Sequence, residues 1–439
     1  MKKVALISLG CAKNLVDSEV MLGYLTQAGY RVVPEIRDSD IIIINTCGFI
    51  SDARAESRDT IRKALAEKQR FPEKRVVVSG CYVETEAPAL KKEFPAVDAW
   101  AGVKDFHHIV QSAEGRSYSP GESCFLYSHD SPRLLSTPPG WAYIKIAEGC
   151  SHACSFCSIP RIKGPYRSRS VDSIHQEARK LAAKGVKEII LTSQDSTYFG
   201  RDLGMRDGLP RLLEKLAGIS DLQWIRFLYA YPEEVSSALL DIVRDDKICS
   251  YLDIPLQHAD PRILKAMRRK TNTSQTLTFI RNVRKKIPGI ALRTSLIVGF
   301  PGEGHREFKA LAAFVKKARF DHLGVFTYSR ERHTSCYELG DPVSEQEKET
   351  RKREIMEIQA GISAHRNTSY LNRKMPVLID GRLAEDPSIL AGRARFQAPE
   401  VDGMVYADTG KDRTDHSGKI IPVEITGCDE YDLYGHLVP

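Results

Sequence analysis

The stretch "EGCSHACSFCSIP", residues 148–160, places three cysteines, Cys150, Cys154 and Cys157, on one short loop. Their C-x3-C-x2-C spacing is too tight for a disulfide framework and differs from the paired C-x2-C knuckles of structural zinc sites. Three soft thiolates so arranged suit an iron-sulfur cluster. A 4Fe-4S cluster normally takes four cysteines, so three leave one iron with an open coordination position, where chemistry can occur. Structural zinc is the competing reading, but no fourth Cys or His follows at finger spacing and His152 lies inside the loop.

Outward from this loop, strand-like runs alternate with amphipathic helices: "WAYIKIAEGC", "EIILTSQD", "WIRFLYAY", "YLDIPLQH", "ALRTSLIVGF" and "HLGVFTYS". Six β/α units in residues 141–341 predict a curved parallel sheet, a partial (β/α)6 barrel instead of the full eight. Such folds keep their sites at the rim beyond the carboxyl ends of the strands. Polar residues gather there: Gln194 and Asp195, Tyr231, Gln257 and His258, Gly299 to Glu303, and Ser329. His258 suits a pocket role and a turn role equally. The glycines of "IVGFPGE" could equally make a strand-to-helix turn.

Upstream, in residues 1–116, "VALISLGC", "IIIINTC" and "VVVSGC" repeat one pattern in which an apolar, β-branched run ends at Cys11, Cys47 and Cys81. With helical stretches between them, these runs predict an open parallel βαβαβ sheet. Ligands of such sheets sit beyond the carboxyl strand ends, where all three cysteines fall. The alternative is three inert core cysteines, which would scatter along the strands. Residues 117–140, polar and bearing Gly, Ser and Pro, read as a linker or covering loop. Residues 342–373 read as a solvated connector helix with interleaved acids and bases, and 374–439 as a small five-stranded β-barrel.

The fold class is therefore α/β with several domains, as a length of 439 residues with 42% hydrophobic and 28% charged content allows. No apolar run approaches the roughly 18 residues of a membrane span, and the apolar part of "MKKVALISLGC" is too short for a signal core. Ten cysteines without a secretory signal predict a reducing compartment, the cytoplasm.

The cysteine loop at the head of six β/α units resembles the radical S-adenosylmethionine (SAM) superfamily. That resemblance implies that Cys150, Cys154 and Cys157 bind a 4Fe-4S cluster whose open iron is chelated by SAM, with reductive cleavage giving a 5'-deoxyadenosyl radical. It also implies Phe156 near the adenine and "IVGFPGE" beside the nucleoside, with Gln194, Asp195, Gly299 and Glu303 as further cofactor-binding candidates. The whole domain order resembles the methylthiotransferases, whose N-terminal cysteines hold a second 4Fe-4S cluster and whose last domain is the TRAM domain. By that likeness Cys11, Cys47 and Cys81 hold the second cluster. One cluster makes the radical, the other holds or delivers sulfur, and SAM serves as methyl donor and radical source.

"SLGCAKNLVDSE" and "NTCGFI" resemble the RimO type, whose usual version has Pro where this chain has Ala12. That type modifies the β-carbon of an aspartate in small-subunit ribosomal protein twelve; a sister branch modifies a tRNA adenosine beside the anticodon. The implied partners are that ribosomal protein, free or in the subunit, a sulfur source and a reducing protein. Charge argues the same way. Residues 370–439 carry 8 basic and 12 acidic side chains, a net of −4, against +7 for the whole chain and so +11 for the rest. An anionic barrel is a poor clamp for tRNA, because RNA binding depends on neutralising phosphates, and suits a basic protein loop better.

Two stretches depart from the family's wording: Lys163 stands where Arg is usual, and Arg332 and His333 where an acidic residue and Gly are usual. Cys249 reads as a core residue, while Cys124, Cys336 and Cys428 have no partners at ligand spacing. Lys13 and Asp17 could touch substrate or pair with each other at i, i+4.

Overall fold

The computed structural model describes residues 1–439 except Pro120 and Pro439. Five parallel strands open the chain: β1 (Lys3–Ser8), β2 (Arg31–Val32), β3 (Ile41–Thr46), β4 (Arg75–Gly80) and β5 (Ala99–Ala101), in the order β2-β1-β3-β4-β5. The β-branched run of β3 is buried along its whole length because helices cover both faces, as a parallel sheet requires. Those helices are α1 (Ala12–Gln27), α2 (Ser51–Arg70), α3 (Cys81–Glu93) and α4 (Ile109–Glu114). The edge strands β2 and β5 were not expected from sequence; two and three residues long, they are too short to show a pattern.

The segment 117–140 is tied down. Arg133 bridges Glu19 of α1 (2.5 Å) and Glu177 of the helix Val171–Ala183 (2.7 Å), and Leu134 donates its N–H to the Glu19 carbonyl. Burial of both partners makes this an interdomain clamp of a kind that exposed pairs do not provide.

All six expected central strands are present. They are β6 (Trp141–Lys145), β9 (Glu188–Thr192), β10 (Trp224–Phe227), β11 (Tyr251–Asp253), β12 (Ala291–Val298) and β13 (His322–Thr327). The halves β6-β9-β10 and β11-β12-β13 join where Cys249 N–H donates to the Ile225 carbonyl at 2.8 Å. Strands β6 and β13 end the curved sheet, leaving the barrel partial. Between β6 and β9, the short antiparallel pair β7 (Ala147–Glu148) and β8 (Arg167–Ser168) holds both ends of the cysteine loop, which includes α5 (Ile159–Lys163).

The expectation of a solvated connector is corrected. Helix Glu345–Asn367 buries Lys348, Arg351, Ile355, Gln359, Ile362 and Ser363. Ile355 and Ile362 join the central core, and Lys348 and Arg351 reach under the barrel rim. Its interleaved charges hid one face that faces the protein, since two of the buried positions are themselves cationic.

Strands β14 (Lys374–Arg382), β15 (Ile389–Ala394), β16 (Val405–Asp408), β17 (Ile420–Cys428) and β18 (Leu433–Leu437) close into the expected five-stranded barrel, in the order β14-β15-β16-β18-β17. This barrel stops the amino end of the central one. Trp141, Glu188, Tyr251 and His322, each the first residue of its strand, bond to Asp380, Arg393, Asp402 and the Phe396 carbonyl at 2.7–2.9 Å. One apolar cluster runs from Val16 and Val20 of α1 through Tyr143, Ile190 and Trp224 to Leu378 and Ala398. No helix among the described residues is long and apolar enough to cross a membrane.

Candidate functional site

Cys47 directly follows β3 and Cys81 opens α3, while Cys11 lies three residues beyond β1 as the N-cap of α1. Glycine brings the three turns together. At Gly10 (φ +89°) a Cβ would lie 2.9 Å from the Cys47 Sγ; at Gly80 (φ +102°) it would lie 2.4 Å from the Thr46 carbonyl oxygen. Only a residue without a side chain permits both that backbone conformation and that approach. Behind the turns, Asn14 and Asn45 exchange side-chain-to-carbonyl hydrogen bonds of 3.2 and 3.0 Å, and Ser57 Oγ donates to the Cys47 carbonyl at 2.9 Å. Burial pushes the Cys47 and Cys81 thiols up.

The second cysteine loop is clasped from several sides. Cys150 N–H donates to the Gly164 carbonyl; Ser155 N–H donates to the Met267 carbonyl, and Ser155 receives Cys336 N–H at its own carbonyl, all at 3.0–3.1 Å. His152 stacks on Tyr231 with ring centroids 4.0 Å apart, and its Nε2 is 2.6 Å from Asp195 Oδ2. Arg269 covers the Tyr231 ring at 3.9 Å and sets Nη1 3.9 Å from Cys154 Sγ. Phe156 packs with Phe300 and Tyr328, so the cysteine loop meets the "IVGFPGE" segment. Burial raises the thiols of Cys150 to about 11 and Cys157 to about 12, so in the metal-free chain both are protonated at neutral pH.

Gln194 presents a buried Oε1 with no partner, as an acceptor awaiting a donor would. Asp195, 2% exposed, is occupied by His152 and by Thr197 N–H at 2.9 Å. Gly299 takes φ +76°, and the side chain of Lys348 fills the space where its Cβ would stand. Both oxygens of Glu303 are engaged within the protein, one by Gly299 N–H (2.9 Å) and Arg351 (2.7 Å), the other by His258 Nε2 (2.9 Å). Glu303 and His258 therefore fasten the turn that carries Gly299.

Lys13 and Asp17 do not pair with each other. Lys13 Nζ sits 3.6 Å over the Tyr229 ring, whereas Asp17 bonds Lys145 and, at 3.2 Å, Lys163. Glu148 completes this buried set, 2.5 Å from Lys145 and 3.6 Å from Lys163. Burial alone would raise the Glu148 carboxyl; the two ammonium groups overcome it and hold it down at about 2. The network lies between the triads, since Cys81 packs with Cys124 and Ile162, the neighbour of Lys163. Sequence reading passed over Lys145 and Glu148, although a lysine ending an otherwise apolar strand was a signal. It also passed over Glu233, whose two carboxylate oxygens are buried without partners behind Tyr231. Near the unusual residues, Glu331 pairs with Arg54 of α2 at 2.5 Å and His333 with Glu86 of α3 at 3.5 Å, tying this loop to the N-terminal domain.

Among the described residues no three His, Cys, Asp or Glu side chains converge to hold one metal ion. A 4Fe-4S cluster asks for no such convergence, because each thiolate binds its own iron. The donors present, two sets of three free cysteines, are of the soft type such clusters take.

Residues 3–102 match the Uncharacterized protein family UPF0004, 144–315 the Radical SAM superfamily and 373–438 the TRAM domain. A Ribosomal protein uS12 methylthiotransferase RimO from Geotalea uraniireducens is 46% identical over 445 residues, spanning 100% of this chain and 99% of that one. The protein of the same name from Aquifex aeolicus is 45% identical over 99% of this chain and 96% of its own. Among solved structures, the radical S-adenosylmethionine methyltransferase TsrM from Kitasatospora setae aligns with TM-score 0.55 at 18% identity, over 77% of this chain and 75% of that one. The cobalamin-dependent S-adenosylmethionine radical enzyme OxsB aligns with TM-score 0.51 at 13% identity, over 81% and 56%. These two share the fold. With its three domains matched in order and full-length relatives at such identity, the chain belongs to the RimO family of radical SAM methylthiotransferases.

Proposed function

We propose that this protein transfers a methylthio group to the β-carbon of an aspartate in ribosomal protein uS12, the small-subunit protein twelve. The observation that carries the reading is the pairing of two cysteine triads on either side of one buried charge network, in a chain alike along its whole length to uS12 methylthiotransferases. Cys150, Cys154 and Cys157 hold one 4Fe-4S cluster, and Cys11, Cys47 and Cys81 a second. When bound, the first of these clusters would supply the electron that cleaves SAM, and the second would hold or deliver the sulfur that is transferred.

The chain's own residues do the rest. Phe156, packed with Phe300 and Tyr328, offers an apolar wall for the nucleoside, while the Lys348 side chain takes up the close approach at Gly299. Gln194 and Glu233 offer unpartnered acceptors for a cationic group, and Asp195 orients His152 against Tyr231. The working units are residues 1–116 for the first triad, 117–140 as the clamp, 141–341 for radical chemistry, 342–373 as connector and 374–439 for substrate. A reducing protein and a sulfur source complete the reaction in the cytoplasm. The net charge of −4 on the terminal barrel favours a basic ribosomal protein over tRNA.

The test offers anaerobically reconstituted enzyme, SAM and reductant to uS12, free and in the small subunit, and in parallel to unmodified tRNA. Mass spectrometry is expected to find a methylthio gain on one aspartate of uS12. A gain on a tRNA adenosine alone would overturn the substrate assignment.

A further inference from the structure

Where the N-terminal domain meets the rim of the central barrel, three lysines are buried, and the chain supplies carboxylates for two of them. Lys145 and Lys163 share Asp17 and Glu148. Lys13, two residues beyond Cys11 in the first turn of α1, makes no ion pair with a carboxylate among the described residues. Its ammonium instead rests 3.6 Å from the ring centroid of Tyr229, in the loop that follows β10. A ring face answers part of that charge, but an ammonium carries three N–H donors. Asp253 is close enough to act on Lys13, yet both of its oxygens are taken, Oδ1 by Arg293 and Oδ2 by Tyr229 N–H, each at 3.0 Å.

The platform under Lys13 is held at a conformational cost. Tyr229 takes φ +61°, a left-handed backbone that a bulky residue seldom adopts. Asp253 fixes its N–H, and its carbonyl accepts Ser196 N–H at 2.9 Å. Backbone strain of this kind collects at binding and active sites. Two positions on, Tyr231 stacks on His152 of the second cysteine loop, so the segment from Tyr229 to Tyr231 reaches from Lys13, beside one triad, to the other. The ground there is not sealed: Cys11 is exposed, and Cys47, Cys81, Cys154 and Cys157 are half-buried.

A reacting β-carbon must face both the radical side and the sulfur side, and in an aspartate that carbon is bonded directly to the carboxylate. The carboxylate therefore comes to rest between the triads, and a carboxylate leaving water requires a cation that is not already neutralised. Lys145 and Lys163 are neutralised; Lys13 is not. We propose that Lys13 binds the side-chain carboxylate of the substrate aspartate and so selects aspartate over an uncharged side chain of the same shape. This role rests on the reading of uS12 as substrate.

The test titrates uS12, and uS12 with the methylthiolated aspartate replaced by asparagine, with anaerobically reconstituted enzyme, following binding by fluorescence anisotropy. Wild-type enzyme is expected to bind the aspartate form about tenfold more tightly, the worth of one charge-assisted hydrogen bond. Lys13→Met should bind both forms alike, and Lys13→Arg, which keeps the charge, should keep most of the preference; iron content and circular dichroism report whether each variant is intact. Equal binding of the two forms by wild-type enzyme, or a full preference retained in Lys13→Met, would overturn the role of Lys13 while methylthiolation of uS12 by the wild type still stood. Wild-type enzyme that leaves uS12 unmodified would overturn the substrate reading, and this role with it.

Discussion

Gly10 shows how much of the chemistry rests on single backbone positions. Its φ of +89° and the 2.9 Å from its Cβ position to the Cys47 Sγ leave no room for a side chain. Gly10→Ala is expected to cost about 1–3 kcal/mol in backbone strain and to displace the Cys47 thiol. Reconstituted Gly10→Ala should hold about half the wild-type iron per chain, measured by colorimetric iron assay, while its circular dichroism stays native, since only one of two tri-cysteine sites is disturbed. Cys47→Ala should keep SAM cleavage, followed as 5'-deoxyadenosine, and lose sulfur insertion; Cys154→Ala should lose both. Loss of SAM cleavage in Cys47→Ala would disprove the division of labour between the triads. The cysteines stand out in the sequence because the C-x3-C-x2-C spacing is local and because Cys11, Cys47 and Cys81 each follow a strand-like run. It could not separate Glu303 from Gly299, because only the fold shows that His258 and Arg351 occupy the Glu303 carboxylate.

At the scale of elements, α1, β6, the turn into the cysteine loop and α5 meet through Asp17, Lys145, Glu148 and Lys163. The Glu148 carboxyl, held at about 2 against an ordinary value of 4.5, binds a proton more weakly in the folded chain than in the unfolded one. Its contribution is therefore present above pH 4.5 and lost as pH falls towards 2. Acid titration followed by near-ultraviolet circular dichroism should show packing between α1 and β6 loosening within that window. Lys163→Met leaves buried carboxylate charge uncompensated and is expected to destabilise the protein by about 3–5 kcal/mol, moving the acid transition to higher pH. Lys163→Arg keeps the charge and should keep most of the stability. An acid transition unchanged in Lys163→Met would show that the pairing contributes little.

At the scale of the molecule, the terminal barrel is part of the central core. Leu378 and Ala398 belong to the same apolar cluster as Tyr143, Trp224 and Tyr251. Truncation after Asn372 should therefore lower the unfolding temperature of the remaining chain and increase binding of a hydrophobic dye, instead of merely weakening affinity for uS12. An unchanged melting temperature would show the barrel to be an independent appendage. The sequence by itself determined the longer strands, the strand-end and loop positions of the cysteines and the five-stranded terminal segment, because β-branched runs, turn residues and the C-x3-C-x2-C spacing are written within a few neighbouring positions. Only the tertiary structure decided that Lys145, Lys163, Asp17 and Glu148 meet between the triads, that the charged connector buries one face, and that the last barrel stops the floor of the central one. Many of those contacts join residues far apart in the chain, Asp17 with Lys145 and Glu188 with Arg393 by more than a hundred positions, and a buried charge is tolerable only where a partner arrives to neutralise it.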